Sequence, residues 1–481
     1  MMLFLSYYLA SFATLWNPTL NSLLAIGLLC LFAYAIRKDI ALGFILMLVN
    51  TILGSFGYEY VIAIGGIHIS LRIALFALFI VSLVLQKQFW NKLLLEIKKT
   101  SIQLWILFYA ALAGSVIHAF VRGNSISLIF GDANNYVFYT LIPLLLIYKN
   151  EIFKKGIALI QKSWLAMTIL SALCVYIFSH NFGKLNSFLY TWIRDARIGE
   201  VTRVSLDSEF HRVFFQTHSI ALVFVAVAVY ALIVHAKTLR EYILQSLFLS
   251  LGFFILLLSF SRSLWLGLAG MGLFYVVFLI KQQLVALDLK RLLYTILSTL
   301  GAVVISVLML FTLVLFPYPQ GGAFSLDDIK NRASSLGDDA ASSRWNLRAP
   351  LEELLTENYL FGSGFGTTVT YQSNDPRIKN ANNPEGWVTT SSFEWGFHDM
   401  VSEYGILGLF ILALAMLYTL RELNAGAITY SVLCALIITH IFTPYLNHPL
   451  GITAILVAIL YEGSYRRHQI ADSHSQSQLL A

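Results

Sequence analysis

The sequence predicts an all-α polytopic membrane protein of about 12–14 transmembrane helices, with one large and one smaller segment on the outer side. Three observations carry this. Of 481 residues, 58% are hydrophobic and only 12% are charged, about half the charged share of ordinary soluble chains. Apolar runs long enough to cross a bilayer recur along the chain, and mean hydropathy is +0.73. Lys and Arg gather in alternate breaks between those runs, so the net charge of +6 signals orientation rather than nucleic-acid binding.

In chain order, the spans are placed at 3–16, 20–36, 39–55, 69–86, 102–121, 132–148, 163–180, 212–235, 244–260, 263–280, 293–316, 398–420, 426–444 and 449–463. The first is short for a crossing and also suits the interface. The run 244–280 is continuous apart from Ser261-Arg262, and reads either as a hairpin or as one interrupted helix. Breaks holding Arg37 and Lys38, Lys87 to Lys99, Lys149 to Lys162, Lys237 and Arg240, Lys281 to Arg291, Arg421, and Arg466 and Arg467 form one set. The short breaks of the other set carry only Arg122. The first set is therefore cytoplasmic, and both termini are expected inside.

The chain divides into N-terminal helices (1–180), helices at 181–316 preceded by an outer segment 181–211, a large outer loop (317–397), C-terminal helices (398–463) and a tail (464–481). The tail is Ser/Gln-rich and reads as disordered. Cys30, Cys174 and Cys434 lie in apolar runs and read as core residues, not a disulfide framework. No basic residue precedes Arg37, so a removable signal peptide is not expected. Internal repeats are not evident, which disfavours an inverted-repeat transporter.

The loop 317–397 holds six Lys/Arg and ten Asp/Glu. A loop of this length in a compact framework is usually functional or disordered. Ser342-Ser343 precede a run from Arg344 to Leu355 that reads as a short helix capped by serine, with Pro350 kinking or dividing it. In Phe361-Gly362-Ser363-Gly364-Phe365-Gly366, alternating glycines allow a close backbone approach. Trp387, Phe393, Trp395 and Phe397 follow, suited either to sugar rings or to a membrane-interface belt.

Charges at membrane depth are costly and point to function. Arg72, Arg122, Arg212 and Arg262 sit at outer helix ends. Each can also be read as an anchor to lipid headgroups. Arg262 stands apart, because no other charge lies between Glu241 and Lys281. A guanidinium fork there fits phosphate. His398 opens the helix that follows the large loop. Imidazole titrates near neutrality and can serve as a base, although a lone histidine at a helix start is more often structural. Asp399 and Glu403 lie close by, but Glu403 is poorly placed to share a helix face with His398. His211, His218, His440 and His448 show no zinc spacing, and no metal is predicted.

Three pieces occur in order: Ser261-Arg262-Ser263-Leu264-Trp265-Leu266-Gly267; Ser343-Arg344 through Phe361-Gly362-Ser363-Gly364-Phe365-Gly366; and His398-Asp399 through Glu403-Tyr404-Gly405-Ile406-Leu407-Gly408. Together, over roughly 200–420, they resemble the O-antigen ligase and polymerase family. That family commonly has His-Asn where this chain has His398-Asp399, and the region around Arg212 matches only loosely. The resemblance implies an inverting, metal-independent glycosyltransferase without cofactors, in the bacterial inner membrane with its site facing the periplasm. It implies His398 as general base for the acceptor hydroxyl, and Arg262 and Arg212 as ligands of the undecaprenyl pyrophosphate that carries the donor glycan. Arg344, Glu403, Asp399 and Trp395 are further substrate-binding candidates. The expected partners are the lipid-linked oligosaccharide, an acceptor glycan (lipid-linked repeat unit or lipid A-core) and the bilayer. An O-antigen or exopolysaccharide polymerase is the preferred reading, since the chain is long and its outer loop large and aromatic. A ligase acting on lipid A-core is the alternative. A lipid-oligosaccharide transporter is disfavoured because the candidate charges gather on the outer side. A transferase with an acidic pair in its first outer loop is disfavoured too, because that loop is short and the second offers only Glu59.

Overall fold

A computed structural model describes residues 1–203, 210–283, 289–317, 339–375 and 378–479. The remainder of the segment 181–211, of the loop 317–397 and of the tail lies outside the described residues. The chain is 75% helical. Among the described residues, eight helices are long and apolar enough to cross a membrane: Pro18–Lys38, Thr100–Val121, Ile157–Ser179, Gln216–Val234, Leu239–Leu258, Arg262–Lys281, Leu289–Leu315 and Gly396–Glu422. This is a multi-pass membrane protein.

About 12–14 spans were expected from fourteen candidate runs, the first of them short, and most of the runs outside these eight are shorter or broken in the structure. Met2–Thr14, Ile40–Gly54 and Ala427–His440 are apolar but short. The span predicted at 69–86 ends at Val84 and bends by 81° into Lys87–Glu96. The run at 132–148 becomes Ile126–Val137, a 3₁₀ turn Phe138–Thr140 and Leu141–Ile152. Pro143 explains that break, since it has no N–H to offer the carbonyl of Tyr139 and its ring crowds it. The span placed at 212–235 starts as a strand, His211–Phe215, and turns helical only afterwards. Its run of β-branched and aromatic residues, Val213-Phe214-Phe215, suits a pleated strand. The last helix runs from Pro449 to Leu479, where a disordered tail was expected. Beyond Gly463 no Gly or Pro stops it.

Local chemistry sets the helix ends. Asn17 accepts from the Leu20 amide at 3.0 Å with Pro18 in the first turn, and Arg37 and Lys38 close the same helix against its dipole. Burial then sorts the helices. The segment Gln216–Val234 is buried over 83% of its span window, and that of Leu289–Leu315 over only 17%. The first is apolar all round because protein surrounds it. The second turns Leu293, Leu297, Leu300, Val304 and Leu308 outward, as a lipid-facing helix must.

Of the two readings for 244–280, the structure has the hairpin, two helices joined by the turn Ser259–Ser261. Leu239–Leu258 and Arg262–Gln283 diverge from a tight turn, the first packing on Leu289–Leu315 and the second on Ala427–His440. Arg72, read from sequence as a possible headgroup anchor, is buried and donates to the Ser55 carbonyl at 2.8 Å. Among the described residues, three antiparallel two-stranded ribbons decorate the helices: Val61–Ile64 with Ile67–Ser70, Gly199–Arg203 with His211–Phe215, and Val369–Gln372 with Trp387–Thr390.

The loop helix is longer than predicted, Asp339–Glu357, with Pro350 inside it. Ser343 is therefore an interior residue and not its cap. Its hydroxyl meets Ser373 Oγ at 2.9 Å and accepts from the Asn374 amide at 2.9 Å, tying this helix to the ribbon that follows. The glycine run behaves as its spacing suggested. Gly362, Gly364 and Gly366 all have positive φ, and a Cβ on each would meet the backbone of Gly405, Ala119 and Ile129 respectively, at 2.7–2.8 Å.

Candidate active site

The helix Gly396–Glu422 that carries His398 is broken at Tyr404 and Gly405, where Gly405 takes φ 71°. The glycine run fills the break. Ser363 donates to the Ser402 carbonyl at 2.6 Å, Ile406 to Tyr359 at 2.9 Å and Leu407 to Leu360 at 3.3 Å. Backbone groups that a kink would strand in an apolar setting are thus satisfied by the loop. A Cβ on Gly405 would lie 2.1 Å from the Leu360 carbonyl oxygen. Gly405→Ala is therefore expected to destabilise the protein by about 2 kcal/mol or more, from left-handed backbone plus collision. A thermal melt in detergent checks this, and an unchanged melting temperature would contradict it.

Above the break, the helix presents two faces. Asp399 and Glu403 are four residues apart, share one face and are buried. Asp399 accepts from Asn447 Nδ2 at 2.8 Å, and Glu403 accepts from the Tyr136 hydroxyl. Neither carboxylate lines the cavity that holds the arginines. These carboxylates, expected as possible substrate ligands, are turned into the protein by the helical geometry. His398 lies about 100° round the helix from Asp399. It is half-buried, with the edge of Trp395 6.0 Å away between ring centroids. Among the described residues, neither ring nitrogen of His398 is hydrogen-bonded. Glu352 and Arg348 of the loop helix are the charges that act on it.

Three arginines converge beside this helix. Arg262 begins its helix directly after the turn Ser259–Ser261, in which Phe260 is buried with φ 47°. That helix sits tightly on Ala427–His440. Thr439 Oγ1 donates to the Ser263 carbonyl at 3.2 Å, Thr443 Oγ1 to Ser263 Oγ at 3.1 Å, and a Cβ on Gly267 would fall 2.2 Å from Thr439 Oγ1. Arg212, on its strand, donates to Thr202 Oγ1 at 2.8 Å and to the Phe260 carbonyl at 3.2 Å, so it braces the turn that presents Arg262. Arg344 comes from the loop helix and pairs with Glu394. All three line one cavity of about 340 Å³, together with Ser261, Ser263, Gln216, Glu200 and His448. That is the size range of small-molecule sites. Three guanidiniums against two carboxylates leave it net positive.

His398 does not line this cavity. Trp395 stands between, its ring 5.8 Å from Phe442 of the cavity wall and its Nε1 donating to the Arg344 carbonyl at 2.9 Å. Trp395, a candidate for substrate binding, packs in a small core with Leu347, Leu351, Val369 and Phe393. The exposed ring beside it is Trp345, at 5.1 Å. His448 is a cavity residue whose role the sequence did not signal, being a single histidine in a short turn. Its Nδ1 accepts from the Leu450 amide at 3.2 Å, which leaves Nε2 to carry the hydrogen, buried and without a partner among the described residues. Burial, with Arg72 near, holds its pKa down to about 3. It is a neutral donor in the cavity wall, and its lone pair is already taken.

Residues 246–413 match the family described as O-antigen ligase. The matched stretch is less than half of the chain and is similar to the domain of that family. No curated protein and no solved structure matches. The ligase-family domain takes in Arg262, the loop helix with Arg344, and His398, and leaves Arg212 and His448 outside. The match supports a membrane glycosyltransferase of the O-antigen ligase and polymerase type.

Proposed function

We propose that this protein is a lipid-linked glycan polymerase of the periplasmic face, transferring a glycan from undecaprenyl pyrophosphate to a sugar hydroxyl with inversion. The observation that carries the reading is the meeting of Arg212, Arg262 and Arg344 in one cavity, with Trp395 between it and a histidine whose ring nitrogens make no hydrogen bond among the described residues. The pyrophosphate would lie against the guanidiniums, whose planar forks match its oxygens. The donor sugar would then point past Trp395 towards His398.

In the reaction, the bond between the anomeric carbon and the phosphate oxygen breaks, and the electron pair leaves on pyrophosphate. The acceptor oxygen attacks from the opposite face and forms the new glycosidic bond. Its proton passes to the neutral imidazole of His398. The arginines stabilise the charge that develops on the leaving oxygens. Asp399 has a structural part here, since its partner is Asn447. Asp399→Asn can still accept that bond, and is expected to lower the transfer rate by less than about tenfold. A loss as deep as that of a His398 variant would show instead that the carboxylate works through the histidine.

The reading is tested by deleting the gene and running lipopolysaccharide on gels. A polymerase predicts a single repeat unit left on core. Bare core with accumulated lipid-linked polymer would identify a ligase, and an unchanged ladder would refute both for this glycan.

A further inference from the structure

A second cavity of about 410 Å³ adjoins the first and shares Phe56, Glu200 and Gln216 with it. Its other walls include Tyr190, Arg194 and Arg197. The helix Lys184–Asp195 ends here, and the chain reverses through Arg197, whose φ is 50°. The reversal is closed by the Arg197 amide donating to the Arg194 carbonyl at 3.1 Å and the Ile198 amide to Ile193 at 3.0 Å. Glycine is the residue that takes such a conformation without strain. An arginine there accepts strain, and its guanidinium lies over the Tyr58 ring at 4.6 Å. Strained non-glycine backbone is a mark of functional positions. Among the described residues, neither Arg194 nor Arg197 is in an ion pair.

The same helix shows where the cavity lies. Phe182, Leu185 and Phe188 are exposed beside Trp16, with the Phe188 and Trp16 rings 5.2 Å apart. Outward apolar and aromatic residues on an amphipathic helix mark the membrane interface. The cavity therefore opens at headgroup level, where the phosphates of a membrane-borne substrate would travel. Arginines thus occur in two cavities that lie side by side with a common wall.

We infer that the Arg194/Arg197 cavity holds the pyrophosphate of the acceptor, a second lipid-linked glycan lying beside the donor. This deepens the polymerase reading and rests on it. A polymerase must hold two lipid pyrophosphates at once, whereas a ligase needs one.

Native mass spectrometry of the full chain in detergent, with undecaprenyl pyrophosphate as the probe, tests the inference. The protein is expected to bind two copies. R194Q/R197Q should bind one, with that second affinity weakened at least tenfold and an unchanged melting temperature. R262Q should also lose one copy, and the combined variant both. A single copy bound by the unaltered protein, or two copies retained by R194Q/R197Q, would overturn the inference. So would displacement of the second copy by equimolar phosphatidylglycerol or lipid A, which would assign the cavity to a phospholipid headgroup or to a ligase acceptor. Loss of binding in R194Q/R197Q but not in R262Q would strike at the donor site instead.

Discussion

His398→Ala is expected to lower glycan transfer by about a thousandfold, the middle of the range for losing a positioned general base. The variant should insert, melt and bind undecaprenyl pyrophosphate as the unaltered protein does. The side chain is half-buried at the helix start and makes no hydrogen bond among the described residues, so little of the fold depends on it. The measurement is turnover of extracted lipid-linked donor in proteoliposomes. A rate within tenfold of normal would remove His398 as the base. His448 would not then inherit the role, because its Nδ1 already accepts from Leu450. His448→Gln supplies the comparison: glutamine keeps a donor towards the cavity, and transfer should persist.

Arg262→Lys should cost about a hundredfold in turnover, although the charge is retained. An ammonium is a point charge and cannot present the two parallel donors of a guanidinium. The position magnifies the difference. Arg262 issues from a turn whose carbonyl is held by Arg212 and whose next residue is fixed by Thr439 and Thr443. A lysine stem placed there cannot reposition its backbone to recover the contact. The rate should be measured beside binding of undecaprenyl pyrophosphate, and both should fall. Normal donor turnover in this variant would refute pyrophosphate binding at Arg262.

The membrane class was legible because hydrocarbon leaves little freedom: runs such as Leu289–Leu315 must be apolar and helical. Arg262 was legible for the same reason, as an isolated charge between two such runs. The breaks were harder to see. Pro143 and Gly405 each lie in an apolar run, and hydropathy alone does not register a missing donor or a positive φ. The strand His211–Phe215 reads as apolar whether pleated or coiled, and only its pairing with Gly199–Arg203 decides. The site was half legible. Three arginines from distant parts of the chain do meet, but the sequence holds no sign that Trp395 separates them from His398. The inward turn of Asp399 and Glu403 depends on Asn447 and Tyr136, which lie 48 and 267 residues away.

The interlock between the glycine run and the broken helix also limits how such proteins can be recombined. A side chain on Gly362 would need the space of the Gly405 backbone, and one on Gly405 the space of Leu360 and Phe361. Chimaeras that exchange the whole outer loop with that of a relative would import a run shaped for another helix. Exchanges confined to the ribbon Val369–Gln372 and Trp387–Thr390 leave the joint intact.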